Sequence, residues 1–120
     1  MGKIKVIKVE PHKAPYVDEI EDYYETFSKY VGGYIEYVRI DDEIAIICNE
    51  EGKLLNLEPN RYIKDGEDVV CGNFIIVALS PHGEERSLTD FEINKYIYEF
   101  KETPEIDPKD VSVKFEFYAF

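Results

Sequence analysis

Apolar residues recur along this chain at a two-residue period in several segments, which predicts β-strands. Residues 3–10, KIKVIKVE, alternate lysine with apolar side chains, as a half-buried strand does. Residues 34–40, YIEYVRI, alternate in the same way, and the Asp41-Asp42 pair favours a tight turn into the apolar segment 43–50. These two segments are therefore expected to form a β-hairpin. Residues 44–48, IAIIC, are apolar on both faces, which is typical of a central strand.

Two further segments have the 3.6-residue period of a helix. The first is expected to end at Gly32 and Gly33, because glycine readily takes the left-handed conformation that closes a helix. Its apolar face consists of Ile20, Tyr23, Tyr24, Phe27, Tyr30 and Val31. The second helix begins at Thr89, which forms a capping-box pattern with Glu92. Its buried face consists of Ile93, Tyr96, Ile97 and Phe100.

The remaining segments complete an α+β pattern. Residues 69–79, VVCGNFIIVAL, are predicted to be one central strand with a bulge or close backbone approach at Gly72. Residues 15–20 form a short strand or a loop, and residues 53–57 form another short strand. A last strand is predicted near the C-terminus, with one buried side formed by Val111, Val113, Phe115 and Phe117. The element order predicts an α+β domain with a mixed, mostly antiparallel sheet and two helices packed on one face.

Length and composition indicate one domain with a real core. The 120 residues are 44% hydrophobic. Residues 1–100 are expected to form the core domain, and residues 101–120 a strand extension that packs on the same domain or on a second copy. A homodimer is therefore an open alternative. The N-terminus has no signal-peptide pattern, and no apolar run approaches the ~20 residues of a membrane span. Cys48 and Cys71 lie in apolar runs, where buried free thiols are expected. These features predict a cytoplasmic protein without membrane contact.

The net charge of -12, from 26 acidic and 14 basic residues, restricts the partners. A field of this sign repels a free polyanion, so direct nucleic-acid binding is not expected. Five of the acids fall within eight residues, at Asp18, Glu19, Glu21, Asp22 and Glu25. On a helix they would place one charge per ~2.4 Å, close to the ~1.7 Å of duplex DNA. One hypothesis is an acidic face that engages a host protein by mimicking nucleic acid, formed by Asp18, Glu21, Asp22 and Glu25. The alternative is an ordinary solvated face.

Three segments, VGGYIEYV, IAIICNEEGKLLNLEPNR and GNFIIVAL, occur in an order and spacing that resemble a known family. It is a family of small proteins classed as a domain of unknown function, and the resemblance covers residues 3–100. Its members occur in phages, mobile elements and mostly Gram-positive bacteria. The resemblance therefore implies a viral or mobile-element origin and a small cytoplasmic protein, and it implies no activity. Glu58 departs from the pattern, because the family often has proline at this position.

The stretch CNEEGKLLNLEPNRYI, residues 48–63, allows two interpretations. It is a turn between strands, since Asn49 can bond its own backbone and Gly52 can take a positive φ. Alternatively it is a pocket for a small nucleotide-like ligand. In that pocket the basic side chains would hold a phosphate, the amides would bond polar edges, and the tyrosine would stack on a base or sugar. The residues of this pocket would be Asn49, Lys53, Asn60, Arg61 and Tyr62.

No catalytic, metal or cofactor site is predicted. His12 and His82 lie in proline-containing loops without a nearby nucleophile, and they have no zinc-ligand spacing with the two cysteines. The expected function is therefore a non-enzymatic acidic binding protein of phage or mobile-element origin that counters host defence by engaging a host protein. One alternative is sequestration of the nucleotide-like ligand, and another is a structural or regulatory protein without a ligand.

Overall fold

A computed structural model of the chain describes residues 2–111. The strands are β1 (Lys3–Val9), β2 (Tyr16–Glu21), β3 (Ile35–Asp41), β4 (Ile44–Asn49), β5 (Pro59–Ile63), β6 (Asp68–Cys71), β7 (Phe74–Leu79) and β8 (Glu85–Arg86). The helices are α1 (Tyr24–Val31) and α2 (Asp90–Glu99), followed by a 3-10 turn at Pro108–Asp110. The predicted α+β fold class is confirmed. The strand predicted over residues 111–117 falls, from residue 112 onward, outside the described residues.

The strands form a six-stranded sheet and a separate two-stranded hairpin. The main sheet has the order β2-β1-β7-β4-β3, with β8 beside β7, and β5 and β6 form the hairpin. Every strand pair within residues 2–111 is antiparallel. All residues of β4 and β7 are buried, because these strands lie at the centre of the sheet and are apolar on both faces.

The two helices cover opposite faces of the sheet, so the prediction that both pack on one face was wrong. On one face, Tyr96 and Phe100 at α2 pack with Ile63 and Val70 of the β5–β6 hairpin. On the other face, Phe27 and Val31 of α1 pack against the alternate residues of the same strands. A sheet that is apolar on both faces needs a covering layer on each.

Residues 16–21 form strand β2, which confirms the strand alternative for residues 15–20. Ile20 therefore lies outside α1, in contrast to its predicted place on the apolar face of that helix. In the register of β1 and β2, Lys3 lies opposite Glu21 and Lys5 opposite Glu19. Opposite charges across a strand pair stabilise it, and this pairing between distant residues overrides the local helical period. Helix α1 therefore starts only at Tyr24. Its predicted end is confirmed, since Gly32 has a φ of 84° and its N–H group donates to the Ser28 carbonyl.

The apolar run at residues 69–79 is split at Gly72, so the prediction of one central strand was wrong. Gly72 has a φ of +88°, and a Cβ atom there would lie 2.8 Å from Leu57 Cδ1. The run before it belongs to the hairpin, and the run after it belongs to the main sheet. Residues 53–57 form a turn, in contrast to the predicted strand, with Leu54 and Leu55 exposed. The predicted capping box of Thr89 and Glu92 is confirmed.

Candidate functional site

Asn49, at the end of β4, connects three segments of the backbone. Its Nδ2 donates to the Val31 carbonyl at the end of α1 over 3.2 Å, and its Oδ1 accepts from the Glu51 N–H group over 2.7 Å. Gly33 and Gly52 allow this close packing. A Cβ atom added at Gly33 would lie only 2.9 Å from Asn49 Nδ2. A Cβ atom added at Gly52 would lie only 2.7 Å from the Cys71 carbonyl oxygen. The Asn49 side chain is therefore part of the fold, and it also borders a cleft.

Asn60 and Arg61, on β5, form a buried hydrogen-bonded clamp, and each is 2% exposed. Asn60 Nδ2 donates to the Val9 carbonyl over 3.0 Å and to the Gly72 carbonyl over 2.8 Å. Its Oδ1 accepts from Arg61 Nη1 over 2.8 Å. The amide therefore joins β1, the bend between β6 and β7, and the guanidinium group.

The Arg61 guanidinium donates four hydrogen bonds to uncharged oxygens. Nε donates to the Phe100 carbonyl over 3.1 Å, and Nη2 donates to the Lys13 carbonyl over 2.7 Å. Nη1 donates to the backbone and side-chain oxygens of Asn60. Because the group is removed from water, its pKa is lowered from the ordinary value. Four of its five N–H groups are used internally, and the side chain is buried, so the group is not available to an external ligand.

Lys53 and Tyr62 are also engaged by neighbouring acidic residues. Lys53 Nζ lies 2.5 Å from Asp68 Oδ1. Partial burial raises the pKa of Asp68, but its hydrogen bonds from Lys53 and from the Val69 N–H group outweigh this effect and hold the pKa below its usual value. The Tyr62 hydroxyl donates to Asp110 Oδ2 over 2.8 Å and accepts from the Asp107 N–H group over 3.3 Å. The five predicted pocket residues are therefore not gathered around one opening.

A cleft of about 840 Å³ lies between the β3 edge and the β5–β6 hairpin. Asn49 and Lys53 line it, whereas Asn60, Arg61 and Tyr62 do not. Its apolar lining is formed by Tyr37, Val38, Cys48, Leu54, Ile63, Val69, Val70 and Cys71. Three lining residues are basic: Arg39, Lys53 and Lys64. Six are acidic: Glu36, Glu50, Glu51, Glu67, Asp68 and Asp110.

The cleft is thus acidic, and its acidic residues were missed at the sequence level. They come from β3, from the turn after β4, from the β5–β6 hairpin and from the 3-10 turn. No spacing pattern unites them, because only the tertiary fold brings these segments together.

The two cysteines lie at the apolar part of the cleft as buried free thiols. Cys48 is 6% exposed and Cys71 is 4% exposed. Burial raises the pKa of the Cys48 thiol to about 12, with smaller contributions from neighbouring acids. The thiol pKa of Cys71 is also raised, mainly by burial. Both groups therefore stay protonated near neutral pH and are poor nucleophiles.

The four residues of the hypothetical acidic face are dispersed. Asp18 and Glu21 lie on β2 and point to opposite sides of it, because side chains alternate along a strand. Asp18 Oδ2 lies 2.9 Å from Lys8 Nζ. Asp22 lies in the turn before α1, and its pKa is raised by burial and then by the carboxylate of Glu85. Glu25 lies in the first helical turn, so the expected continuous helical face is not formed.

Both histidines are exposed and lie in loops. His12 Nε2 lies 2.8 Å from Glu58 Oε2, and both side chains are exposed. His82 lies in the loop before β8, where its backbone N–H group bonds to Ser80 Oγ. Within residues 2–111, no group of three or more His, Cys, Asp or Glu side chains is arranged to hold a metal ion.

Comparison with known proteins identifies the family. The model of the family described as Domain of unknown function (DUF3846) matches residues 4–101. The chain therefore belongs to this family. No curated protein and no solved structure matches the chain. In the described part of the chain, no helix has the length and apolar character that crossing a membrane requires.

Proposed function

We propose that this chain is a non-enzymatic binding protein that engages another protein through the acidic cleft between β3 and the β5–β6 hairpin. The proposal rests on the size of this cleft and on the residues that line it. The cleft of about 840 Å³ has six acidic and three basic lining residues around an apolar floor. One of the three bases, Lys53, is already paired with Asp68.

The edge of β3 suits an extended partner segment. This strand is the last in the sheet order, so its outer edge has no strand partner among residues 2–111. Residues 36–39 all line the cleft although their side chains alternate between the two faces, so the edge itself borders the cleft. An extended segment can add to such an edge through backbone hydrogen bonds, while its side chains enter the neighbouring pockets. The acidic rim favours basic side chains on that segment.

A nucleotide-like ligand has less support from the geometry. The side chains of Asn60 and Arg61 form their hydrogen bonds with other groups of the protein. Asn49 and Lys53 do border the cleft, but the acidic excess there repels a phosphate. The acidic surface of the proposal is accordingly the cleft and not the dispersed group of Asp18, Glu21, Asp22 and Glu25.

The setting is part of the proposal. The family resemblance supports a phage or mobile-element origin, and the two free buried thiols are what a reducing cytoplasm maintains. We infer that the partner is a host protein and that its capture weakens host defence. Expression in a Gram-positive host that restricts a phage would then raise the plating efficiency of that phage. A variant with reversed charges in the cleft would not raise it.

Site-specific photo-cross-linking tests the binding surface. A photoreactive residue would replace Leu54, which is 54% exposed and lines the cleft. The control would replace Tyr98, which is 70% exposed on α2 and lies outside the cleft lining. We expect a cross-linked partner in native cells from position 54 and none from position 98. Equal cross-linking from both positions, or none from position 54, would contradict the proposal.

A further inference from the structure

The side chains of β3 alternate between the two faces of the sheet, and one set of them faces the acidic cleft. Val38 and Ile40 pack against the core cluster beneath α2 and the β5–β6 hairpin. Ile35 packs against the opposite core cluster, which includes residues of α1. Glu36 is two residues from Val38, so it lies on the hairpin side as well, where it is exposed. On its cleft side, β3 therefore presents an acidic residue followed by two apolar residues.

The acidic excess of the cleft is concentrated at the start of β3. Strand β4 ends beside the first residue of β3, so Glu50 and Glu51 follow directly at this end of the cleft. The Glu50 N–H group donates to the Tyr34 carbonyl over 2.8 Å. Together with Glu36, they are three acidic lining residues, and none of the three forms an ion pair with another residue in the range 2–111.

The basic residues of the hairpin side do not offset this charge. Lys53 forms an ion pair with Asp68. Lys64 belongs to the hairpin turn, and it lines a second pocket of about 200 Å³ together with Ile40. Lys64 therefore lies beside the last residues of β3 and not beside the first. The cleft thus has an acidic end at the start of β3, followed by apolar surface at Val38.

We propose that the cleft selects an extended segment of a partner protein in which a lysine or arginine stands two residues from an apolar side chain. This inference rests on the proposed function and specifies its partner. Paired residues of neighbouring strands place their side chains on the same face of a sheet. The basic side chain then lies opposite Glu36, and the apolar side chain lies opposite Val38, above the floor of Ile63 and Val70. Moving the basic residue by one position turns it to the other face.

A second copy of this chain does not fit the same edge. In an antiparallel pair of two β3 strands related by a two-fold axis, each face of one strand continues as the same face of the other. Arg39 lies on the α1 side, because its partner Ala45 belongs to the core cluster there. In this arrangement it cannot meet Glu36 of another copy. The net charge of -12 on each chain opposes such a dimer further.

Two synthetic peptides of identical composition test the spacing. The peptide TVTVTKTVTVT has its lysine on the same side as its valines, and it reads identically in both directions, so it serves parallel and antiparallel pairing. The peptide TVTVTTKVTVT has its lysine on the other side. We expect the Kd from fluorescence anisotropy to be at least threefold lower for the first peptide. Equal affinities, or no binding of either peptide, would overturn the inference. Cross-linking at position 54 tests the proposed function separately, because it captures a partner whatever the spacing of its residues.

Two variants and hydrogen exchange locate the contact. Glu36→Gln should bring the two affinities within about twofold of each other. Glu21→Gln is the control, because it removes the same charge at the other edge of the sheet, and it should keep the preference. At saturation, the first peptide should slow the exchange of the β3 amides that do not bond to β4 at least tenfold and leave β2 unchanged. A preference that survives Glu36→Gln, or equal protection at β2, would overturn the inference, as would a dimer that excludes the peptide from β3.

Discussion

Replacing Arg61 by alanine removes a buried group on which three parts of the chain converge. The guanidinium satisfies the carbonyls of Lys13, Asn60 and Phe100 as well as the Asn60 side-chain oxygen. A buried polar group that loses its partner costs about 1–3 kcal/mol. Water entering the vacated space restores some of these bonds, so we expect a total loss of about 3–5 kcal/mol. Such a loss is a large share of the ~5–15 kcal/mol that stabilises a domain.

Chemical unfolding in urea measures this loss directly. Arg61→Lys keeps the charge but not the fork of N–H groups, so we expect it to be destabilised as well, though less than the alanine variant. Arg39→Ala is the control, because Arg39 is exposed and its change should alter the free energy of unfolding by less than about 0.5 kcal/mol. An Arg61→Ala protein that unfolds at the wild-type urea concentration would refute the clamp.

Three further substitutions test other parts of the structure. The pKa of Glu92 is lowered to about 2, mainly by its hydrogen bonds with Arg86. The ionised carboxylate therefore stabilises the fold above pH 4.5, and this stabilisation is lost as the pH falls toward 2. Glu92→Gln should therefore cost about 1–2 kcal/mol in urea unfolding at pH 7, after discounting for solvent screening, and little at pH 2.5; an equal cost at both values would contradict the ion pair. The raised pKa of Asp22 favours its protonated form, so Asp22→Asn should raise the melting temperature at pH 7 but not at pH 3; no gain at pH 7 would contradict it. Gly52→Ala should cost about 1–3 kcal/mol in urea unfolding because its Cβ atom meets the Cys71 carbonyl, whereas Gly2→Ala, with open space around it, should not.

Local signals in the sequence predicted local features of the fold. The capping box at Thr89 and the glycine end of α1 depend on neighbouring residues, and both are confirmed. The strand at residues 16–21 depends instead on pairing with β1, so the sequence predicted it only as one of two alternatives, a short strand or a loop. At Gly72 the sequence predicts a bulge or a close backbone approach within one strand. The structure shows that the chain passes there from the hairpin to the main sheet, and strand pairing of this kind is not visible in the sequence.

The candidate site was less accessible to sequence analysis than the fold. The sequence allows the Asn-Arg pair at residues 60 and 61 to be a ligand contact or part of a turn, since amides and guanidinium groups suit both. Its burial depends on carbonyls of Val9, Lys13 and Phe100, which are distant in the sequence. The cleft likewise depends on tertiary packing, because it lies between β3, the last strand of the sheet among residues 2–111, and the β5–β6 hairpin. Neither fact is encoded in a local pattern.

The most direct test of the cleft as the binding surface compares two charge reversals of equal size. Glu36→Lys with Glu51→Lys changes the cleft, and Glu21→Lys with Glu25→Lys changes the surface around β2 and α1. Both pairs alter the net charge equally, so a difference between them reports position alone. With the partner identified by cross-linking at position 54, we expect calorimetry to give a Kd at least tenfold higher, about 1.4 kcal/mol, for the cleft pair. The other pair should stay within about threefold of wild type, and equal weakening by both pairs would contradict the account.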